Sequence, residues 1–231
     1  NYYQGLAVDL HSGKEGFFER KRELIDAYKS AGRRDEIQTA LKELAARYEG
    51  AEPDAPADLC WLYGRYMDDY LHDVDVCQRF AARNRVRMLV EILARTGLDA
   101  SSEFHTVHNY IDVDEMILRK GAIAAHEGET VLIPLNMRDG SIIAKGRGNE
   151  EWNNSAPHGA GRVMSRREAR ETLDLREYRT AMEGIYSTSV NERTIDEAPG
   201  AYKPIEDIIG PIADAVDIID VMRPIYNFKA S

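Results

Sequence analysis

The character of the chain changes at Gly97, and this change limits the folds that are open to it. Up to residue 96, apolar residues recur every three or four positions among many charges, which is the period of helices that bury one face. Beyond Gly97, short β-prone runs are bounded by Gly, Pro, Asn and Asp, as strands are. Three such runs are residues 116–118, 130–133 and 141–144. We therefore predict an α+β fold with a helical region over 1–96 and an α+β region over 97–231.

Within the helical region, residues 14–47 carry alternating charges on two amphipathic stretches that a break at Ala31-Gly32 separates. Such a pattern predicts a helical hairpin that faces solvent. Residues 50–58, with two prolines, read as a linker, and the helical pattern resumes over 59–96. Later in the chain we predict helices over 165–175 and 204–221 and a terminal strand over 224–228.

Composition limits the function more than the fold. Apolar residues make up 43% of the 231 residues, enough to fill a core, and the net charge is −10. This acidic balance argues against a protein that coats nucleic acid through bulk charge, but it leaves room for a local basic cleft. No apolar run reaches the roughly 18 residues of a membrane span. The two cysteines, Cys60 and Cys77, suit free thiols in a cytoplasmic protein.

The densest unusual segment is residues 148–166, where His158 stands among glycines and precedes two arginines. Arg162 and Arg166 are four residues apart, so they share a face if a helix begins there. Arginines near a helix N-terminus suit phosphate, and neutral imidazole is a nucleophile near pH 7. Two interpretations stay open at this point: His158 attacks a phosphate, or it is an exposed residue of a Gly-rich turn.

His108 is the second candidate, because an imidazole near a strand can bind a metal. One histidine is weak support, since a metal site needs three or four ligands, and His105 nearby does not complete a set. We predict that His11 ends a helix and that His72 lies on a polar helix surface.

Residues 158–166, His-Gly-Ala-Gly-Arg-Val-Met-Ser-Arg, resemble the signature of the RtcB family of GTP-dependent RNA ligases. Further matches keep the order of the family's motifs, and the resemblance covers essentially the whole chain. These matches lie at residues 66–70, 84–85, 108–110, 119–122, 132–134, 196–203 and 228–229.

The resemblance implies an RtcB-like fold, in which the Gly-rich β region carries the active-site loops and the hairpin is an N-terminal insertion. It also implies a reaction. A histidine attacks GTP and becomes guanylylated, GMP passes to an RNA 3′-phosphate, and a 5′-hydroxyl displaces GMP to seal the strand. Ends with a 2′,3′-cyclic phosphate are opened first, and manganese ions (Mn²⁺) drive the chemistry.

The resemblance also implies roles for single residues of this chain. His158 matches the nucleophile and His108 a manganese ligand, while Arg162 and Arg166 match arginines for RNA or GTP phosphates. The residues that match the nucleotide site are Ser141, Ala160, Gly161, Tyr202 and Lys229, of which Ser141, Tyr202 and Lys229 surround the guanine.

Two departures from the family pattern matter. The family's other metal ligands, an Asp, a Cys and two His, come from an N-terminal half, so we expect this chain to be the C-terminal portion of such an enzyme. Residues 135–138, Leu-Asn-Met-Arg, replace a Gly-Ser-Met-Gly loop that approaches the nucleotide phosphates. We expect Leu135 to lack glycine's backbone freedom and Arg138 to supply charge instead.

The alternative function is an inactive or split remnant that binds nucleotide or RNA; the RNA substrate and the need for an archease-type activator stay open.

Overall fold

The computed structural model describes residues 2–14, 16–48 and 52–229, so residues 50 and 51 of the predicted linker lie outside the described residues. The chain divides into two units, residues 1–81 and 82–231, and the division falls within a long helix. The helices of the first part are α1 (Tyr2–His11), α2 (Phe17–Ser30), α3 (Ile37–Ala46) and α4 (Arg65–Thr96).

The first unit contains a small apolar core between α1 and the start of α4. Leu6, Leu10 and Tyr66 are buried there. Helices α2 and α3 coincide with the two charged stretches; α3 buries Ala40 and Leu44, whereas the residues of α2 are half-buried or exposed. The buried side chains therefore form only a narrow apolar stripe, and most of the surface of both helices faces solvent.

The second unit is built on two three-stranded antiparallel sheets. One sheet has the strand order β1–β2–β5 and the other the order β3–β4–β6. The strands are β1 (His108–Asp112), β2 (Ile117–Ala124), β3 (Thr130–Pro134), β4 (Ser141–Gly146), β5 (Ser155–Pro157) and β6 (Val216–Met222). The helices of this unit are the end of α4, α5 (Arg166–Thr172), α6 (Leu175–Ala181) and α7 (Glu206–Ile212). The mixture confirms the predicted α+β class.

Alternating side chains of β3 and β4 form the core of this unit. Val131 and Ile133 are fully buried opposite Ala144 and Ile142 of β4. They share one face of the sheet because successive side chains of a strand point to opposite faces. Helix α7 covers this face with Ile208 and Ile212. A second cluster gathers around Met137 and the side chains of α6.

The predicted helix over 204–221 is wrong in its second half. Helix α7 ends at Ile212, and Val216–Met222 form strand β6, which pairs with β4. β-branched residues dominate this segment and suit a strand, and the apolar spacing alone does not separate a short strand from a helix. The segment predicted as a terminal strand belongs to neither sheet; instead Tyr226 forms a single parallel bridge with Tyr186.

Both cysteines are free thiols, as predicted. Among the described residues, the helices are too short or too polar for any of them to cross a lipid bilayer.

Candidate functional site

A cavity of about 780 Å³ opens in the second unit. Its wall combines the start of β1, the turn between β3 and β4, the segment after β5, residues 197 and 202, and much of the C-terminal segment from 222 onward. All nine site residues predicted from the sequence line this cavity, although the chain separates the first from the last by more than half its length. They are His108, Ser141, His158, Ala160, Gly161, Arg162, Arg166, Tyr202 and Lys229.

Two histidines lie side by side in the cavity wall. The rings of His108 and His158 stack with their centroids 5.3 Å apart and their planes 8° from parallel. A register irregularity between His108 and Tyr110 sets the start of β1, with Asn109 in the left-handed region at φ 54°. Bulges of this kind redirect a side chain, which brings His108 to the neighbouring ring.

Gly121 on β2 connects the two histidine segments, and the sequence reasoning did not assign it a role. Its N–H donates to the Asn109 side-chain oxygen at 2.7 Å, and its carbonyl accepts the His158 N–H at 3.3 Å. Gly121 has φ +73°, and a Cβ there would lie 3.6 Å from Cε1 and Nδ1 of His158. A glycine is needed because other residues are strained at this φ. The only signal in the sequence was its place in the motif at 119–122.

The backbone after His158 is held tightly. Ala160 donates its N–H to the Pro134 carbonyl at 3.0 Å and is buried in the core cluster. A Cβ on Gly159 would lie 3.1 Å from the same oxygen, closer than ordinary contact, and Gly161 turns the chain at φ +73°. The Gly-rich segment is therefore a packed turn that fixes the position of His158.

Arg162 packs against Tyr202, with which it also forms an antiparallel β-bridge. Its guanidinium lies 4.8 Å from the centre of the tyrosine ring and donates to the hydroxyl at 3.0 Å. The same guanidinium donates to the carbonyls of Met164 and Asp196. These contacts leave the Arg162 side chain 21% exposed and hold it in the wall.

Arg166 stands at the first position of α5. Ser165 and Glu168 form a capping box at the N-terminus of this helix. The Arg166 guanidinium forms ion pairs with Asp196 at 2.8 Å and with Glu197 at 2.7 Å, yet 62% of the side chain is exposed. A phosphate entering the cavity would therefore meet an arginine that carboxylates already hold in place.

Glu197 connects several of the predicted side chains of the site, and the sequence reasoning missed it. Its carboxylate accepts hydrogen bonds from Tyr202 at 2.8 Å and pairs with Lys229 at 3.1 Å as well as with Arg166. Burial raises the pKa of Glu197, but the hydrogen bonds from Tyr202 and Lys229 and the nearby positive charges outweigh burial, so the pKa lies below its ordinary value. Burial and the bond to Glu197 raise the pKa of Tyr202 to about 12.

Lys229 is fixed through its backbone. Ser189 accepts the N–H of Lys229 at 2.9 Å and donates its hydroxyl to the Lys229 carbonyl at 3.1 Å. With its ammonium on Glu197, the lysine is positioned at both ends, which explains how a residue close to the end of the sequence lines the cavity.

The loop at 135–138 was expected to suffer from Leu135 in place of glycine and to gain charge from Arg138, and the structure shows a different arrangement. Leu135 is buried in the core, and none of the four residues is among those with positive φ, so the loop has no need of glycine. Asn136 organises the turn by accepting the N–H groups of Arg138 and Asp139. The Arg138 guanidinium pairs with Asp139 at 2.7 Å, so it is engaged within the turn.

One group of possible metal ligands occurs in residues 2–14, 16–48 and 52–229: Asp112, Glu115 and His126. Arg119, fully buried, lies against both carboxylates, with ion pairs of 3.0 Å to Asp112 and 3.2 Å to Glu115. The carboxylates thus neutralise a buried arginine, which explains why they lie close together without a metal between them. His108 does not belong to it, so the described residues do not surround His108 with a metal-ligand set.

His11 ends α1, as predicted. Its Nδ1 lies 2.6 Å from an Asp54 oxygen, and its Nε2 accepts the N–H of Trp61 at 3.3 Å. Both ring nitrogens of His11 are therefore engaged by neighbouring groups.

Comparison with known proteins agrees with the motifs. The family model for the tRNA-splicing ligase RtcB matches residues 9–230. The RNA-splicing ligase RtcB of Escherichia coli K12 is 31% identical over an alignment of 243 positions, which covers 96% of this chain and 55% of the relative. The tRNA-splicing ligase RtcB of Aeropyrum pernix is 42% identical over 165 residues, covering 68% of this chain and 31% of the relative. The chain spans about half the length of the Escherichia coli protein.

Proposed function

Because the chain belongs to the RtcB family, we propose that it carries the nucleotide site of an RNA ligase and that His158 is guanylylated. An imidazole nitrogen of His158 attacks the α-phosphate of GTP; a nitrogen–phosphorus bond forms, the bond to the bridging oxygen breaks, and pyrophosphate leaves. GMP then passes to an RNA 3′-phosphate, and a 5′-hydroxyl attacks that phosphate and releases GMP. A 2′,3′-cyclic phosphate is opened to the 3′-phosphate beforehand.

One observation carries the proposal: the nine residues that match the family's site line a single cavity, with His158 held in its wall. The packed turn at 159–161 fixes the imidazole, and a fixed nucleophile loses less entropy when it reacts. Arg162 and Arg166 suit the phosphates because a guanidinium donates two hydrogen bonds to neighbouring oxygens.

The base of the nucleotide is expected beside Tyr202 and Lys229, with Ser141, Ala160 and Gly161 along the same wall. Lysine can donate to the O6 and N7 acceptors of guanine. Glu197 holds the Lys229 ammonium and the Tyr202 hydroxyl at the cavity wall. We propose that it positions both groups for the base.

Manganese, when bound, would stabilise the charge that develops on the phosphates. His108 can supply one imidazole nitrogen from the cavity wall, but the described residues do not complete a site around it. We therefore propose that the remaining ligands come from sequence outside these 231 residues. The same observation favours a second candidate function, in which the chain binds nucleotide and RNA without reacting.

The test is to express the complete reading frame and to incubate the protein with manganese and GTP labelled at the α-phosphate. We expect labelled GMP on the protein that is lost in acid and retained in base, as a phosphoramidate is. His158→Ala should abolish the label, whereas His105→Ala, which removes an exposed histidine of the same region, should retain it. Label that persists on His158→Ala would contradict the assignment. Saturable GTP binding without covalent label would favour the second candidate.

A further inference from the structure

Two exposed tyrosines stack on each other next to the cavity. The rings of Tyr186 and Tyr226 lie 5.6 Å apart and 21° from parallel, and the residues are 67% and 53% exposed. Aromatic side chains are normally buried for their large apolar area, so two stacked rings in solvent point to a binding surface.

The backbone holds the pair together. Tyr186 donates its N–H to the Ile225 carbonyl at 3.2 Å, and its carbonyl accepts the N–H of Asn227 at 2.9 Å. These two bonds flank Tyr226 and form the parallel bridge between the tyrosines. The Asn227 side chain also donates to the Met137 carbonyl at 3.5 Å. These bonds hold the two tyrosines side by side before any ligand arrives, which lowers the entropy cost of binding.

The tyrosine pair borders the cavity through Tyr226. Tyr226 and its neighbours Ile225 and Asn227 belong to the cavity wall. Four cationic side chains and the carboxylate of Glu197 line the same cavity, which leaves its wall with a net positive charge; the cations are Arg162, Arg166, Arg223 and Lys229. A ligand that crosses from the cavity onto the rings thus meets positive charge first and aromatic faces next.

We propose that the Tyr186–Tyr226 pair is a stacking platform for an unpaired base of the RNA strand whose end enters the cavity. The proposal rests on the proposed function, which places an RNA end beside His158. Aromatic faces stack bases of any sequence, and cationic grooves hold the phosphates of single strands.

The test measures the binding of short, unpaired, fluorescent RNA ending in a 3′-phosphate to the full chain by fluorescence anisotropy. Tyr186→Leu should weaken binding by about five-fold or more, the low end of what one stacked base contributes. Tyr186→Phe keeps the ring and should bind as the wild type does. RNA with abasic sites in the unpaired stretch should bind the leucine and phenylalanine variants equally. Unfolding temperatures of both variants check that the fold is retained.

Equal affinity of the leucine and phenylalanine variants for intact RNA would overturn the platform, and so would a wild-type chain that binds no RNA. The two proposals fail separately. Labelled GMP on the wild-type protein with no difference between the Tyr186 variants removes the platform alone. A ring-dependent affinity without labelled GMP removes guanylylation and leaves an RNA-binding surface.

Discussion

The imidazole of His158 stacks on that of His108 across the sheet β1–β2–β5, and Gly121 of the central strand β2 connects the segments that carry them. Gly121 donates to the residue after His108 and accepts the N–H of His158. The relative position of a proposed nucleophile and a proposed metal ligand therefore depends on a residue that has no side chain.

Gly121→Ala should slow guanylylation beyond what its loss in free energy of unfolding explains. The alanine must adopt φ near +73°, which costs about 1–2 kcal/mol, and its methyl group would contact the His158 ring. Chemical denaturation gives the stability, and the rate of GMP labelling gives the activity of the complete protein.

Gly128→Ala is the matched control, since Gly128 has φ +77° and open space where a Cβ would lie. We expect both variants to lose a similar free energy of unfolding and only Gly121→Ala to lose labelling rate. Equal labelling rates in the two variants would show that Gly121 has no part in the placement of His158.

Asp196→Asn should destabilise the protein at neutral pH and have little effect in acid. The Asp196 side chain is 3% exposed and pairs with Arg166 and Arg170. Burial raises its pKa, but the hydrogen bonds from these arginines outweigh burial and hold the pKa below the ordinary 3.8. The charged form thus stabilises the fold above pH 3.8, and this contribution is lost as the pH falls through the lowered pKa.

At pH 7 we expect Asp196→Asn to lower the free energy of unfolding by about 1–3 kcal/mol, as for lost hydrogen bonds to charged groups. Thermal unfolding of both proteins from pH 7 down to acid checks this, with the exposed Asp214→Asn as the control for removing one charge. A difference between wild type and Asp196→Asn that stays constant with pH would contradict the role of ionised Asp196.

Strands β2, β3 and β4 could be predicted because each contains an apolar run bounded by turn residues, and because burial alternates along β3 and β4. Strand β6 could not, since its residues become a strand only by pairing with β4, a long-range contact that local spacing does not encode. The same limit explains the length of the predicted C-terminal helix.

Like the fold, the site could be predicted from the sequence only in part. Motif matches in the sequence were enough to identify residues of the cavity wall, including Tyr202 and Lys229. Their partner Glu197 went unassigned, because which arginine or lysine a carboxylate meets depends on the tertiary fold. A contact between charges that are 30 residues apart, such as Arg166 and Asp196, produces no periodic pattern in the sequence from which it could be predicted.

Arg119→Met should be strongly destabilising. The guanidinium is buried and donates to Ser155, Tyr110 and the Asn153 carbonyl besides its two ion pairs. Removing it leaves the Asp112 carboxylate without its partner, and breaking a buried pair costs about 3–5 kcal/mol. Denaturant unfolding measures the loss.

Arg167→Met is the control, because Arg167 pairs with Glu171 on the surface of α5 with 88% of its side chain exposed. Exposed pairs of this kind contribute about 0.2–1 kcal/mol. A loss for Arg119→Met no larger than that of the control would show that the Asp112–Glu115 group does not depend on Arg119, and would reopen its interpretation as a metal site.

Lys229→Ala should weaken the use of GTP more than that of ATP. The ammonium is held at the cavity by Glu197 and the backbone by Ser189, so it can donate to guanine O6, which adenine replaces with an amino group. We expect the preference for GTP to fall by about 1–3 kcal/mol, measured as GMP or AMP labelling against nucleotide concentration in the complete protein. Lys203→Ala, which removes an exposed lysine beside Tyr202, should keep the preference. If both lysine variants retain the GTP dependence and base preference of the wild type, Lys229 contacts Glu197 without reading the base.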